Sequence, residues 1–206
     1  MAGVRGRRLA LLGGGFSTDG DGLLDDWVLD QVRAPRPKVC FVPTASGDAP
    51  GYVERFLAAY QPRSCQPGVL HLFRREFDDD ELRAFLLGQD VVYVGGGNTA
   101  NLLAVWRAHG VDRLLREAFD RGTLLCGISA GANCWAEGSH TDSFGPLTHL
   151  ADGLGLLSGS VCPTTTVSRD VDRRIGRPWR TAHFLPAGRW RTASVPSSPT
   201  GGWRTR

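Results

Sequence analysis

The residues best suited to chemistry lie in Thr123-Leu124-Leu125-Cys126-Gly127-Ile128-Ser129-Ala130-Gly131-Ala132-Asn133. A serine between a short apolar run and a helical stretch, with glycine two positions to either side, fits a nucleophile elbow. The tight turn exposes the hydroxyl, and a Cβ at either glycine would collide with neighbouring chain. Ser129 is therefore the candidate nucleophile. The alternative is that the glycines merely let a helix lie close to a sheet. A second signal is Gly95-Gly96-Gly97-Asn98-Thr99 after Val91-Val92-Tyr93-Val94. Successive glycines ahead of a helix leave backbone N–H groups aimed at an anion, either a phosphate or the oxyanion of acyl transfer. The stretch lacks GxGxxG and the lysine of a phosphate-binding P-loop, which disfavours a nucleotide. Gly96, Gly97, Asn98 and the Ala130 N–H are the candidate oxyanion and substrate contacts. Gly13-Gly14-Gly15 is read as a loop bordering the same site.

A serine nucleophile needs a base and a group to orient that base. Downstream lies Glu137-Gly138-Ser139-His140-Thr141-Asp142-Ser143. Asp142 is the candidate acid. His140 lies only two residues from Asp142 along the chain, and that proximity is read as counting against it as the partner base. His71, His109 and His149 read as surface or packing residues.

The elements that would position these residues alternate. Leu9–Leu12, Val39–Val42, Val69–Phe73, Val91–Val94 and Leu124–Ile128 are short apolar runs bounded by turn residues, as strands buried on both faces are. Between them, apolar residues recur at helical spacing: Leu23, Leu24, Trp27, Val28 and Val32; Val53, Phe56 and Leu57; Leu82, Phe85 and Leu86; Leu102, Leu103 and Trp106; Val111, Leu114, Leu115 and Phe119. Asp78-Asp79-Asp80 suits an acidic first helical turn. Alternation of this kind predicts an α/β fold, a three-layer sandwich with a mostly parallel sheet, and ligands at the carboxyl ends of its strands.

The 206 residues are 41% apolar and 22% charged, as in an ordinary globular domain. No run approaches the ~20 apolar residues of a membrane helix, and Leu9–Leu12 is too short for a signal peptide. Five cysteines without CxxC or Cys/His ligand spacing read as reduced thiols of a cytoplasmic protein, with no metal. The net charge of +3 joins two unlike parts, because residues 164–206 hold nine arginines against two aspartates while residues 1–163 hold 15 basic against 19 acidic groups. The basic tail has neither a basic helix face nor an aromatic module, so neither nucleic acid nor a membrane is expected as partner.

Five spaced segments together resemble the serine peptidase family S51, typified by dipeptidase E: Phe41-Val42-Pro43-Thr44-Ala45-Ser46, Val94 to Thr99, the Gly127–Asn133 elbow, Thr141 to Gly145, and Gly153 to Leu157. The resemblance covers about residues 7 to 163. It implies a fold related to class I glutamine amidotransferases and cofactor-free hydrolysis of a small peptide substrate, with an N-terminal aspartate on dipeptides. It also implies Ser129 as nucleophile, with oxyanion donors from the glycine loop and Ala130. A cyanophycinase-like hydrolase and a non-catalytic binding domain of the same fold are the alternatives.

The family base is a histidine in a segment similar to Cys-Pro-His-Tyr-Asp-Gly-Glu, where this chain has Cys162-Pro163-Thr164-Thr165-Thr166-Val167-Ser168. The expected histidine position is Thr164, where the composition also changes. Threonine codons are ACN, and a shift back by one base gives NAC, which encodes His, Tyr, Asp or Asn. The same shift makes His-Tyr-Asp-Gly-Glu-Pro-Gly-Arg-Arg available from Thr164 onward. Residues 1–163 are thus expected to form the α/β domain, and 164–206 to be a basic, out-of-frame, poorly ordered tail.

Overall fold

The computed structural model describes residues 6–16 and 21–162, together with the backbone of three later strands at 180–186, 191–195 and 204–205. Eleven strands and six helices are seen among these residues. In chain order they are β1 (Arg8–Leu12), α1 (Leu23–Asp30), β2 (Lys38–Val42), α2 (Pro50–Tyr60), β3 (Gln66–Val69), α3 (Asp79–Leu87), β4 (Val91–Val94), α4 (Thr99–His109), α5 (Val111–Asp120), β5 (Leu124–Ile128), α6 (Ala130–Asn133), β6 (Ala136–Thr141), β7 (Thr148–Leu150), β8 (Leu157–Val161), β9 (Arg180–Pro186), β10 (Arg191–Val195) and β11 (Arg204–Thr205).

The main sheet runs β11-β10-β9-β1-β5-β4-β2-β3. From β1 to β3 every pairing is parallel, whereas β9, β10 and β11 add antiparallel neighbours beyond β1. Because side chains alternate across a strand, the central strands feed two cores. Leu9, Leu11, Val92, Val94 and Leu125 join Leu82, Leu102, Trp106 and Leu115 of α3, α4 and α5 on one face. Ala10, Leu12, Phe41, Val91, Tyr93 and Cys126 join Leu24, Val28, Phe56 and Tyr60 of α1 and α2 on the other. The result is the three-layer α/β sandwich expected from the alternation. The acidic stretch opens α3 through a capping box, in which the Asp78 carboxylate accepts the Glu81 N–H and the Glu81 carboxylate accepts the Asp78 N–H.

One strand is displaced. The apolar run Val69–Phe73 was expected to be a strand, but β3 is Gln66–Val69 and ends where that run begins. The Asp48 carboxylate accepts the N–H groups of Leu72 and Phe73 at 2.7 and 2.9 Å, which draws the chain out of the ladder while Leu70 and Leu72 stay buried. Pro67 is tolerated because β3 is the sheet edge. No helix among the described residues is long and apolar enough to cross a membrane.

The segment after the elbow forms a second, three-stranded sheet of order β7-β6-β8, with β6 antiparallel to β7 and parallel to β8. It holds the loop bearing Asp142 against the carboxyl end of the main sheet.

Candidate active site

β5 is buried along its whole length and delivers the chain to Ser129 at the carboxyl edge of the sheet. Ser129 is exposed between buried Ile128 and Ala130. Its backbone sits at φ 55 and ψ −114, in the positive-φ region that a side chain rarely adopts. The two flanking glycines are required sterically. A Cβ on Gly127 would stand 2.2 Å from the Gly131 carbonyl oxygen, and one on Gly131 would stand 2.2 Å from that of Val94. The turn then enters α6, with the N–H groups of Ala132 and Asn133 both donating to the Ser129 carbonyl at 2.9 Å. Ala130, the first residue of α6, presents an N–H that has no acceptor within its own helix.

The glycine loop at the end of β4 lies directly against this turn. A Cβ on Gly96 would come within 3.3 Å of the Ser129 Cβ and 3.9 Å of its Oγ. The Gly96 N–H donates to the Tyr52 hydroxyl at 3.1 Å, so α2 takes hold of one expected oxyanion donor. Gly97 is exposed at φ +142 and crosses so close to the Ala45 carbonyl that a Cβ would lie 2.1 Å from its oxygen. The Asn98 N–H donates to that same carbonyl at 2.8 Å. β1 pairs Leu12 with Ile128, which sets Gly13 beside the elbow and agrees with the triple-glycine loop bordering the site.

The Asn98 side chain works mechanically. Its carbonyl oxygen caps α4 by accepting the Asn101 N–H at 2.9 Å, and its amide nitrogen donates to the Ser143 carbonyl at 3.0 Å. Ser143 returns the contact: its hydroxyl accepts the Ala100 N–H at 3.2 Å and pairs with the Thr141 hydroxyl at 2.7 Å. Buried Thr141 donates to Thr99 at 3.4 Å, and Thr99 also accepts the Asn133 side-chain amide at 3.3 Å. This polar network, which sequence reasoning missed, ties the elbow helix, the start of α4 and the end of β6 together. Its only local signal was the cluster of Thr, Asn and Ser at three separate places.

Asp142 sits between the two anchored residues Thr141 and Ser143. It is exposed, and its carbonyl accepts the Gly145 N–H at 3.0 Å. The structure thus gathers Ser129, Ala130, Gly96, Gly97, Asn98 and the Asp142 loop at one edge of the sheet. None of the four described histidines hydrogen-bonds to Ser129. His71 stands 3.9 Å from Asp48, and His109 contacts Arg75 at 3.4 Å. His140 and His149 face one another across β6 and β7. Thr164, where the base is expected, lies outside the described residues.

Burial pushes the thiols of Cys40, Cys126 and Cys134 well up, which removes them as nucleophiles at neutral pH. Among the described residues no group of three or more His, Cys, Asp or Glu side chains is placed to hold a metal.

Comparison with known proteins agrees with this architecture. The chain is 50% identical over 156 residues to the Bacillus subtilis (strain 168) protein described as uncharacterized peptidase YgaJ, covering 75% of this chain and 66% of that one. It is 31% identical over 136 residues to Peptidase E of Citrobacter koseri, covering 59% of each. The match therefore spans about three fifths to two thirds of the length of these relatives. Two crystal structures share the fold: a putative Peptidase E from Listeria monocytogenes EGD-e, at TM-score 0.64 and 19% identity over 94% of this chain and 100% of that one, and a peptidase from an acI-B1 Actinobacterium, at TM-score 0.70 and 16% identity over 99% and 95%. The model of Peptidase family S51 matches residues 9–183, which include the elbow, the glycine loop and the Asp142 hairpin. With those elements in one continuous match, this chain belongs to peptidase family S51.

Proposed function

We propose that this chain is a cytoplasmic serine peptidase that hydrolyses short peptides, with dipeptides bearing an N-terminal aspartate as its substrates and no cofactor. The observation that carries the reading is Ser129, exposed on a strained strand-to-helix turn whose neighbouring glycines admit no side chain. Its Oγ attacks the peptide carbonyl. The N–H groups of Ala130 and Gly97 hold the developing oxyanion, and that of Gly96 joins them when Tyr52 releases it.

A base must take the serine proton and return it to the leaving amine, and the S51 resemblance assigns this to a histidine at position 164. Asp142 orients that base in our reading. Support for Asp142 comes from its place in the loop after β6, which the Asn98 amide and the Ala100 N–H hold through Ser143 beside the elbow. Since this chain has threonine there, we propose that its reading frame is shifted from codon 164 onward, and that the 206-residue chain has lost several orders of magnitude of activity, as removal of a triad member costs ~10⁴- to 10⁶-fold.

The test is hydrolysis of an aspartyl dipeptide by this chain beside a version with the frame restored from codon 164, together with sequencing across codons 160–170. Turnover by the restored version alone, abolished by Ser129→Ala, supports both parts. Equal turnover by both versions removes Thr164 as the mark of a lost base. Inactivity of both, with no labelling of Ser129 by a fluorophosphonate, favours a non-catalytic binding domain, the reading that a threonine at position 164 already supports.

A further inference from the structure

We propose that His140 and His149 form a two-imidazole site for a borderline divalent transition metal such as Zn²⁺, Ni²⁺ or Cu²⁺ on the outer face of the small sheet. The two are nine positions apart, a spacing that signals nothing along the chain. The antiparallel register of β6 and β7 sets them directly opposite each other. Directly paired residues on neighbouring antiparallel strands hold their Cβ atoms about 4.5–5.5 Å apart. Here the ring centroids are 5.4 Å apart and the ring planes 67° apart. Two imidazoles bound through one nitrogen each to a tetrahedral ion at about 2.0–2.1 Å have centroids about 5 Å apart, so the rings already stand at chelating distance.

Both side chains are exposed. The His71 and His109 rings face Asp48 and Arg75, whereas the His140 and His149 rings carry no hydrogen bond or ion pair among the described residues. The His149 ring packs over Gly138, where a Cβ would stand 2.8 Å from its Nε2, so a side chain at 138 would displace the ring.

Imidazole suits Zn²⁺, Ni²⁺ and Cu²⁺, and the order of affinity puts Cu²⁺ first. No third protein ligand joins the pair among the described residues, so water completes the coordination. An ion held there ties β6 to β7 immediately before Thr141 and Ser143, the residues that dock the hairpin on α4. Its binding thus registers in the loop that carries Asp142.

Titration of the intact 206-residue chain with Zn²⁺ and with Cu²⁺, followed by calorimetry and by amide hydrogen exchange, tests the site. One ion per chain is expected, with slower exchange across residues 139–150. Either His140→Gln or His149→Gln lowers the affinity roughly tenfold or more, and His71→Gln leaves it unchanged. Gly138→Ala, which keeps both imidazoles but displaces the His149 ring, also weakens binding. Each exposed-histidine variant is checked for an unchanged melting temperature. Absence of uptake, affinity that survives either substitution, or uptake that leaves exchange in 139–150 unaltered overturns the proposal.

Discussion

Replacing Ser129 by glycine should make the protein more stable. Ser129 holds φ 55 and ψ −114, a conformation whose cost for a residue with a Cβ is ~1–3 kcal/mol. Its side chain makes no capping hydrogen bond to α6. Glycine adopts positive φ freely, so the strain is released, and against this stands the larger entropy of glycine in the unfolded chain, about 0.4–1 kcal/mol. The net gain over Ser129→Ala, which keeps the Cβ and the strain, is about 1–2 kcal/mol. For a domain of this size each kcal/mol moves the melting temperature by ~2–4 °C, so Ser129→Gly should melt about 2–8 °C above Ser129→Ala. Calorimetry or urea denaturation followed by tryptophan fluorescence measures the difference. A glycine variant no more stable than the alanine variant refutes stored backbone strain at the elbow.

Three further outcomes follow from the packing around the site and the core. Ser143→Ala removes the acceptor of the Ala100 N–H and the partner of Thr141, and should cost about 0.5–2 kcal/mol, in the range of a lost helix cap. The same change should speed exchange of the Ala100 amide, and an unaltered rate there contradicts the docking role. The Arg83 guanidinium, which grips both Glu117 carboxylate oxygens at 2.5 and 2.6 Å, holds that carboxyl below its usual range, with help from Arg121. A depressed folded-state pKa stabilises above the ordinary carboxylate value of about 4.3 and stops doing so as pH falls through the lowered value. The stability gap between the parent and Glu117→Gln should accordingly be constant near neutrality and close on acidification; a gap independent of pH down to full protonation argues against the pairing. Finally, Cys40, Cys65, Cys126 and Cys134 are buried with raised thiol pKa values, so iodoacetamide at neutral pH should leave them intact until urea unfolds the chain, as mass spectrometry of the digested protein can show.

The parts of this protein legible in its sequence are those whose physics is local. Apolar runs such as Val91–Val94 mark strands covered on both faces, and the two cores either side of the sheet follow from simple alternation. Gly-x-Ser-x-Gly between a strand and a helix is equally local, because the collisions that forbid a Cβ at 127 and 131 arise from the turn itself and the strand beside it. The S51 family match, over residues 9–183, spans the same segments.

Long-range pairing decided the rest. Leu70 and Leu72 look like strand residues, yet Asp48, more than twenty positions earlier, takes the N–H groups of Leu72 and Phe73 and ends β3 at Val69. The Tyr52 hydroxyl on Gly96, the Ser143 hydroxyl on Ala100 and the opposition of His140 to His149 join residues nine to more than forty positions apart. No periodicity encodes such contacts, because they depend on which strand lies beside which and in what register. Residue types pointed to a candidate nucleophile and candidate oxyanion donors; the meeting of two sheets decided what holds those segments in place.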